Sequence, residues 1–476
     1  MSYIDVSALG FDDRGLDAFG NLPVAEPRTL FDAQQEYGLD TLRVWDATAN
    51  GSLAIGHTNG TVTSGGNTVG PRSVNTGLTP ITVSATDTHY AVLQSRQYVR
   101  YIPGKGHRTY ITGVFAAGAS ATAAIVWRSS TSGSVVNTSI AQASWGVDKF
   151  NGTGPSGVTI DFTKIQILVI DAQMLYAGRI RVGFDVDGIV CWAHYIDIAN
   201  NQSVPTMQAY NLPVRVEGRT GASSTAFRFG YFDSANGVYL ETTRTSTGGT
   251  AYFECCSVQS FGGAEARGFP NSAPVGINTI AVTTRRPVLS IRPKATYNGK
   301  TNRAHIEEIE ATLRATTNDS LVEFVVGGTL TGASWLTAGP RVTAGAFVTG
   351  QSYFILTVGT TNYTLIGAAS NTVGLQFTAT GAGAGTGTAA VAVSTVDYDV
   401  AATAIAGGVT VKCFFVTAGT GTQAEVSANE ADIRSPLVLS QIDALTATQT
   451  AFSLVCTAFT GTSNVTSLLN WHEQVI

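Results

Sequence analysis

Charge is scarce in this chain. Lys and Arg number 28 and Asp and Glu 33 among 476 residues, 13% in all and well below the ~25% of an average soluble protein. With a formal net charge of -5 and no basic block, the electrostatic footprint of a nucleic-acid binder is missing, and that class is set aside. Cysteine is sparse too. Cys191, Cys255, Cys256, Cys413 and Cys456 make an odd number, and the adjacent pair is badly placed to bridge to itself. They read as buried thiols of a protein folded in a reducing cytoplasm. No run approaches the ~18 apolar residues of a membrane span, and the opening MSYIDVSALGFDDRG has neither the basic nor the apolar region of a secretory leader. Cytoplasmic synthesis without membrane insertion is therefore expected. Catalytic signatures are missing as well: there is no GxSxG elbow, HExxH helix or Walker loop. The histidines His57, His89, His107, His194, His305 and His472 form no two-ligand spacing, so neither a metal nor a cofactor is expected.

Glycine is abundant, with 52 residues, and Thr, Ala and Val recur throughout, a profile that suits short strands joined by turns. The length calls for two or three domains of ~100–200 residues. Residues 1–85 hold one candidate helix, Thr29 to Tyr37, between Pro23 and Pro27 on one side and a Gly/Thr/Asn-rich run on the other. Their apolar positions are too thin and aperiodic for a core, so they read as an extended attachment arm. Residues 86–265 alternate in short runs and read as an antiparallel β-sandwich. In RIRVGFDVDGIVCWAHY, Ile180, Val182 and Phe184 alternate with Arg179, Arg181 and Gly183, and Asp187-Gly188 supplies the φ > 0 pair of a tight hairpin. FRFGYFDSANGVYLETT repeats the design with Asn236-Gly237 in its loop. Residues 266–340 with 392–476 read as a second β-sandwich. Glu308 to Arg314 fits either a helix or a strand there, and the surrounding β signals favour the strand. Between them, residues 341–391 lose nearly all charge and end in GAGAGTGTAA, marking a small β insertion. The glycine spacing in that string resembles a dinucleotide loop only superficially, because no amphipathic helix follows.

Candidate chemistry is weighed against ordinary structural roles. Asp233, Glu241 and Glu254 are the carboxylates that a sugar-cleaving pair would draw on, but acids on solvent-facing strand positions are the common case, so no catalytic residue is assigned. Aromatic rings stack on sugars and anchor interfaces, which makes Trp192, Tyr195, Tyr231 and Tyr239, with His194 beside them, the candidate ligand-binding set. With Trp127 and Trp145 these are six Trp and Tyr side chains in one domain; most should be core, and any two exposed on one concave face would mark the place for a glycan. A hydrogen-bonded structural role is the stronger reading for His194, and of Cys255 and Cys256 one should face the core.

The segment LDAFGNLPVAEPRTLFDAQQEYG (Leu16 to Gly38) resembles the DAFGRLRVSxPxTLFDxxxxYG opening of virion structural proteins of tailed bacteriophages. Further blocks are similar and come in the same order: Arg96 to Phe115, Gly178 to Asn200, Tyr210 to Glu217, Arg285 to Arg303 and the terminal LLNWHEQVI. The insertion is similar to a small module found inside otherwise different phage structural proteins, and the strand series of 86–265 resembles concanavalin-like (laminin-G-like) jelly rolls, a fold often used to bind carbohydrate. The resemblance implies a non-enzymatic virion component, such as a fibre, tail, baseplate or capsid decoration protein. Its partners would be other virion proteins, with attachment through Phe19, Leu22, Leu30 and Phe31. It also implies a homo-oligomer, with a trimer favoured, and host surface glycan as an alternative partner. Asp185 departs from the family pattern, which has an apolar residue there, and reads as an exposed-face substitution rather than half of a cation site with Asp187.

Overall fold

A computed structural model describes residues 28–34, 43–48, 55–56, 62–64, 67–70, 73, 75–86, 90–95, 98–99, 101, 105–116, 118, 121–172, 177–261, 269–273, 276–281, 284–297, 300–302, 304–337, 339–373, 375–418, 424–426 and 449–474. Among these the protein is almost wholly antiparallel β-structure, jelly-roll-like, with no α-helix. It divides into two compact units, Met1–Ala266 with Asp443–Thr446, and Arg267–Ile442 with Ala447–Ile476.

The first unit is a sandwich of two sheets. In one, the order is Ile189–Ile196, Ile180–Val186, Ile165–Ala172, Gly106–Val114, Gly249–Phe261, Thr79–Val83, Asn67–Val69 and Val62–Ser64, with Arg28–Gln34 also paired to the long strand Gly249–Phe261. The other runs Val136–Ala141, Thr122–Ser129, Gly237–Arg244, Thr225–Phe232, Val214–Thr220, Tyr90–Ser95, Arg43–Thr48 and Ile55–Gly56. Period-two alternation explains the layering. Ile180, Val182 and Phe184 point into the core from one sheet and meet Ile125, Val216, Phe229 and Leu240 from the other. Phe150 meets Trp145 and Phe184 edge to face at centroid separations of 6.3 and 5.2 Å, and Trp145 and Phe184 lie tilted on each other at 6.2 Å.

Two expectations for residues 1–85 are corrected here. The candidate helix is a strand, Arg28–Gln34, because the edge along Cys255–Ser260 offers a ladder, with one register shift between Thr29 and Phe31, that outweighs the weak local preference of TLFDAQ. The described strands between 28 and 83 belong to both sheets of the sandwich rather than to a separate arm. Leu30 and Phe31, both half-buried, pack against its core, and Phe31 lines a small apolar cavity with Leu93, Val216, Phe253 and Cys256. Phe19 and Leu22 lie outside the described residues.

The hairpin between Ile180–Val186 and Ile189–Ile196 turns on Asp187 at φ 54° and Gly188 at φ 84°, both left-handed. Asp185 has a local use: its Oδ1 accepts the Gly188 N–H at 2.8 Å and caps the turn. Valine at 188 would be held in a conformation that β-branched residues avoid. Gly188→Val should therefore destabilise the first unit by about 1–3 kcal/mol, read as a lower unfolding midpoint of the intact chain by calorimetry. An unchanged midpoint would contradict the turn geometry.

The second unit packs a sheet of order Leu336–Thr337, Val396–Asp399, Arg286–Pro293, Phe452–Ala458, Ser320–Val326 and Val409–Val416 against one containing Phe269–Ser272, Thr462–Gln474, His305–Ala315, Ala424–Val426 and Gly276–Ala281. The ambiguous stretch Glu308 to Arg314 is strand, with Ile309, Ala311 and Leu313 buried. Residues 341–391 carry their own four-stranded sheet, Arg341–Thr343, Thr388–Val391, Ser352–Thr357 and Gln376–Thr378, around a core of Phe347, Tyr353, Tyr363 and Phe377.

Candidate functional site

The candidate ligand residues are divided between the two sheets of the first unit. Trp192 and Tyr195 stand on Ile189–Ile196, on the face turned away from the core, where a register shift opposite Val182 and Gly183 brings them to the same side. Beside them lies a charged layer that sequence reading missed. Asp171 is 1% exposed, and its Oδ2 accepts from Nη2 of both Arg108 and Arg181 at 2.7 Å. The two guanidiniums in turn cover Trp192, Arg181 at 4.5 Å and Arg108 at 5.9 Å from the ring. Burial works against the charge on Arg108, but Asp171 outweighs it and raises the guanidinium pKa further. Tyr195 is covered by Arg179 at 5.0 Å, and Arg179 pairs with Asp197 at 2.5 Å with both side chains about half exposed. The chain's own arginines thus occupy the aromatic faces that sugar stacking would use. The open part is the rim formed by Arg179, Tyr195 and Asp197.

His194 has the structural role. Its Nδ1 accepts the Gly146 N–H at 3.0 Å and fixes the turn after Trp145, and burial lowers its pKa while Asp197 opposes the shift.

On the other sheet, Tyr231 points into the core, 3% exposed, donating its hydroxyl to the Tyr210 carbonyl at 3.0 Å. Tyr239 is 1% exposed on the outward face, under Arg128 at 5.0 Å and Arg228 at 5.5 Å. Neither ring is open to a ligand, which corrects the expectation for both. Tyr239 belongs to a second charged layer: Glu217 is paired with Arg215 and, at 2.7 Å, with Arg228, and Arg228 reaches Glu241 at 2.6 Å. Arg128 donates to the Tyr239 hydroxyl at 3.1 Å and to the Asp233 carbonyl at 2.8 Å. Burial opposes ionisation of Glu217, but Arg215, Arg228 and Arg128 overcome it and hold the carboxyl down at about 2. A carboxyl so held cannot serve as a general acid near neutrality.

The three candidate catalytic acids are not gathered into one site. Asp233 caps the turn of the Thr225–Phe232 hairpin, accepting from the N–H groups of Ala235 and Asn236 at 2.7 Å. Glu241 is the outer partner of Arg228, and Glu254 lies on the opposite sheet. Among the described residues no group of three His, Cys, Asp or Glu side chains is placed to hold a metal ion.

In the second unit several polar side chains converge on two residues just after the insertion, Ser394 and Thr395. Lys294 Nζ donates to the Ser394 carbonyl at 2.6 Å and Asn302 Nδ2 to the Thr395 carbonyl at 2.8 Å. Glu473, fully buried, accepts from Ser394 Oγ, from the Thr395 N–H at 2.6 Å, and from Thr395 Oγ1 and Trp471 Nε1 at 2.8 Å. Burial lowers the Lys294 pKa to about 8 although Asp397 and Glu473 favour its charge, and the ammonium lies 3.9 Å from the Phe354 ring of the insertion. These residues clamp the stem of the inserted module.

No protein-family model matches the chain, and no curated protein matches it. Solved structures to which it is similar include an endo-1,3-beta-glucanase from Streptomyces sioyaensis, at 9% identity over 51% of this chain and 99% of that one, TM-score 0.27. A Bauhinia forficata lectin in complex with GalNAc is similar at 10% identity over 49% and 98%, TM-score 0.16. A Bacillus licheniformis beta-glucanase is similar at 8% identity over 51% and 100%, TM-score 0.14. Likeness at this level concerns the β-sandwich alone.

Proposed function

We propose that this chain is a non-enzymatic structural component of a tailed-bacteriophage particle, attached to other virion proteins through its N-terminal segment. The observation that carries the reading is the use made of the family-like blocks. Lys294 and Asn302 from one block and Trp471 and Glu473 from another act together on the stem of the insertion. Arg108 and Arg181, from two further blocks, share Asp171. Residues so placed hold strands together, as a scaffold requires. The test is to produce the chain with the remaining proteins of its particle, purify the particles and identify their components by mass spectrometry. The full chain should be present, and a version lacking residues 1–27, which keeps the strand Arg28–Gln34 and its pairing, should be lost from particles. Particles without the full chain would overturn the proposal.

A second reading, glycan binding for host adhesion, draws on the partly open rim of Arg179, Tyr195 and Asp197 beside Trp192. On a glycan array the intact chain would bind a surface polysaccharide and Tyr195→Ala would lose it. No binding by the intact chain leaves the scaffold role alone.

A further inference from the structure

Among the described residues the strand Arg28–Gln34 is bonded to one strand only, lying along Cys255–Ser260 of Gly249–Phe261 with a register shift between Thr29 and Phe31. Its partner does not depend on it. Residues 255–260 are bonded on their other side to residues 107–112, so the sheet keeps its ladder when Arg28–Gln34 is away. The hold of the strand on the core is thin as well. Thr29, Asp32 and Gln34 are exposed, Leu30 and Phe31 are half-buried, and Ala33, 7% exposed, is the one buried side chain among those described in it. Packing beneath Phe31 is incomplete, because the ring lines the small apolar cavity with Leu93, Val216, Phe253 and Cys256, and a void forgoes the dispersion contacts of a filled core. The local sequence pulls against the strand. Residues 30–37 contain no β-branched residue and several strong helix formers, and Thr29 with Asp32 three residues on has the spacing of a helix capping box. A segment docked against its own local preference gains less from docking.

We propose that Arg28–Gln34 is a releasable strap, which leaves the edge of Gly249–Phe261 and docks again while the rest of the first unit stays folded. Docked, it carries Phe31 over the cavity and sets Ala33 opposite Cys256, which is buried. Released, it turns residues 255–260 into a sheet edge and opens the cavity and Cys256 to solvent from the side. Local opening of this kind belongs to edge elements with few buried contacts, whereas the central strand Gly106–Val114, bonded on both sides, opens only with the whole unit. The strap stands independently of the particle reading, since its release is a property of the purified chain.

The test is hydrogen exchange of the intact chain read by mass spectrometry, beside maleimide labelling of Cys256 assigned by peptide mapping. Amides of Arg28–Gln34 should exchange ~100-fold faster or more than those of Gly106–Val114. Low urea should leave that rate nearly unchanged, because release exposes little surface. Labelling of Cys256 should share the flat urea dependence, whereas Cys456, buried in the second unit, should react only as that unit unfolds. Phe31→Ala removes the largest side chain that the strap packs on the core and should speed Cys256 labelling by ~10-fold or more. Where the variant also lowers the unfolding midpoint, the urea dependence of labelling still separates release of the strap from unfolding of the unit. Strap amides that exchange only together with Gly106–Val114, or a Cys256 that reacts only through unfolding of the unit, would overturn the proposal, as would labelling indifferent to Phe31→Ala.

Discussion

Replacing Glu217 by alanine is expected to cost the first unit about 3–5 kcal/mol, the range for removing one partner of a buried ion pair. Its side chain is 7% exposed, and both carboxylate oxygens are engaged, Oε2 by the Nε and Nη2 of Arg215 and Oε1 by Nη1 of Arg228. Truncation takes from Arg215 the carboxylate that it pairs with, beside the Gln94 oxygen at 3.2 Å, and leaves Arg228 paired with Glu241. A guanidinium that has lost water and then loses its counter-charge carries the full desolvation penalty. Glu241→Ala is the comparison. Its side chain is 21% exposed and Arg228 keeps Glu217, so the expected loss is only ~1 kcal/mol. Denaturant unfolding of the intact chain, followed through the transition of the first unit, measures both. Equal losses from the two substitutions would show that Glu217 is not the centre of the network. Adding Arg215→Leu to Glu217→Leu should recover part of the loss, because a buried pair replaced by apolar groups is tolerated better than one broken.

The alternation that made the hairpins legible in sequence is the same alternation that concealed these charged layers. In Thr225–Phe232, Phe227, Phe229 and Tyr231 announce the core, and Arg228 between them reads as a solvent-facing residue. Its burial comes from Glu217 and Glu241, 11 and 13 residues away on neighbouring strands, and only the strand order brings the three together. Asp171, Arg108 and Arg181 are concealed in the same way, on three strands whose adjacency no local pattern encodes. The sequence marks Trp192 and Tyr195 as ligand candidates within a set expected to be mostly core, and nothing local predicts the arginines that cover them. The strand Arg28–Gln34 failed for the opposite reason: its local pattern favours a helix, and the free edge of Gly249–Phe261, more than two hundred residues away, decides otherwise. Asp187-Gly188 was legible because a tight turn needs left-handed backbone from its own two residues and nothing from elsewhere.

Acidification should destabilise the first unit well before the surface carboxylates are fully protonated, because of a histidine buried without charge. His107 is 1% exposed; its Nδ1 lies 3.5 Å from the Tyr231 hydroxyl and its Nε2 meets no hydrogen-bond partner among the described residues. Tyr231 donates to the Tyr210 carbonyl, so its oxygen is free to accept from Nδ1–H, and the neutral imidazole with Nε2 bare fits the site. A second proton would have no acceptor. Burial, and then the charge of Lys105, lower the His107 pKa from 6.5 to about 3. The folded state therefore refuses a proton that the unfolded chain takes up. The stability so conferred is complete above pH 6.5 and is lost as pH falls toward 3, on the order of 5 kcal/mol in all. Glu217 acts in the same sense over a lower window, from 4.5 to about 2, and contributes on the order of 3 kcal/mol. His194, less deeply buried, adds a smaller loss of the same sign. The two larger windows overlap between pH 3 and 4.5, where the decline should be steepest. The measurement is the denaturation free energy of the intact chain from pH 7 to 3, beside His107→Gln, which cannot take up the second proton. The variant should be less stable at pH 7, having lost a fitted side chain, yet between pH 6.5 and 4.5 it should decline only by the smaller His194 loss, well short of the wild-type decline. A wild-type curve as shallow as the variant's over that interval would mean that His107 is not held neutral in the core.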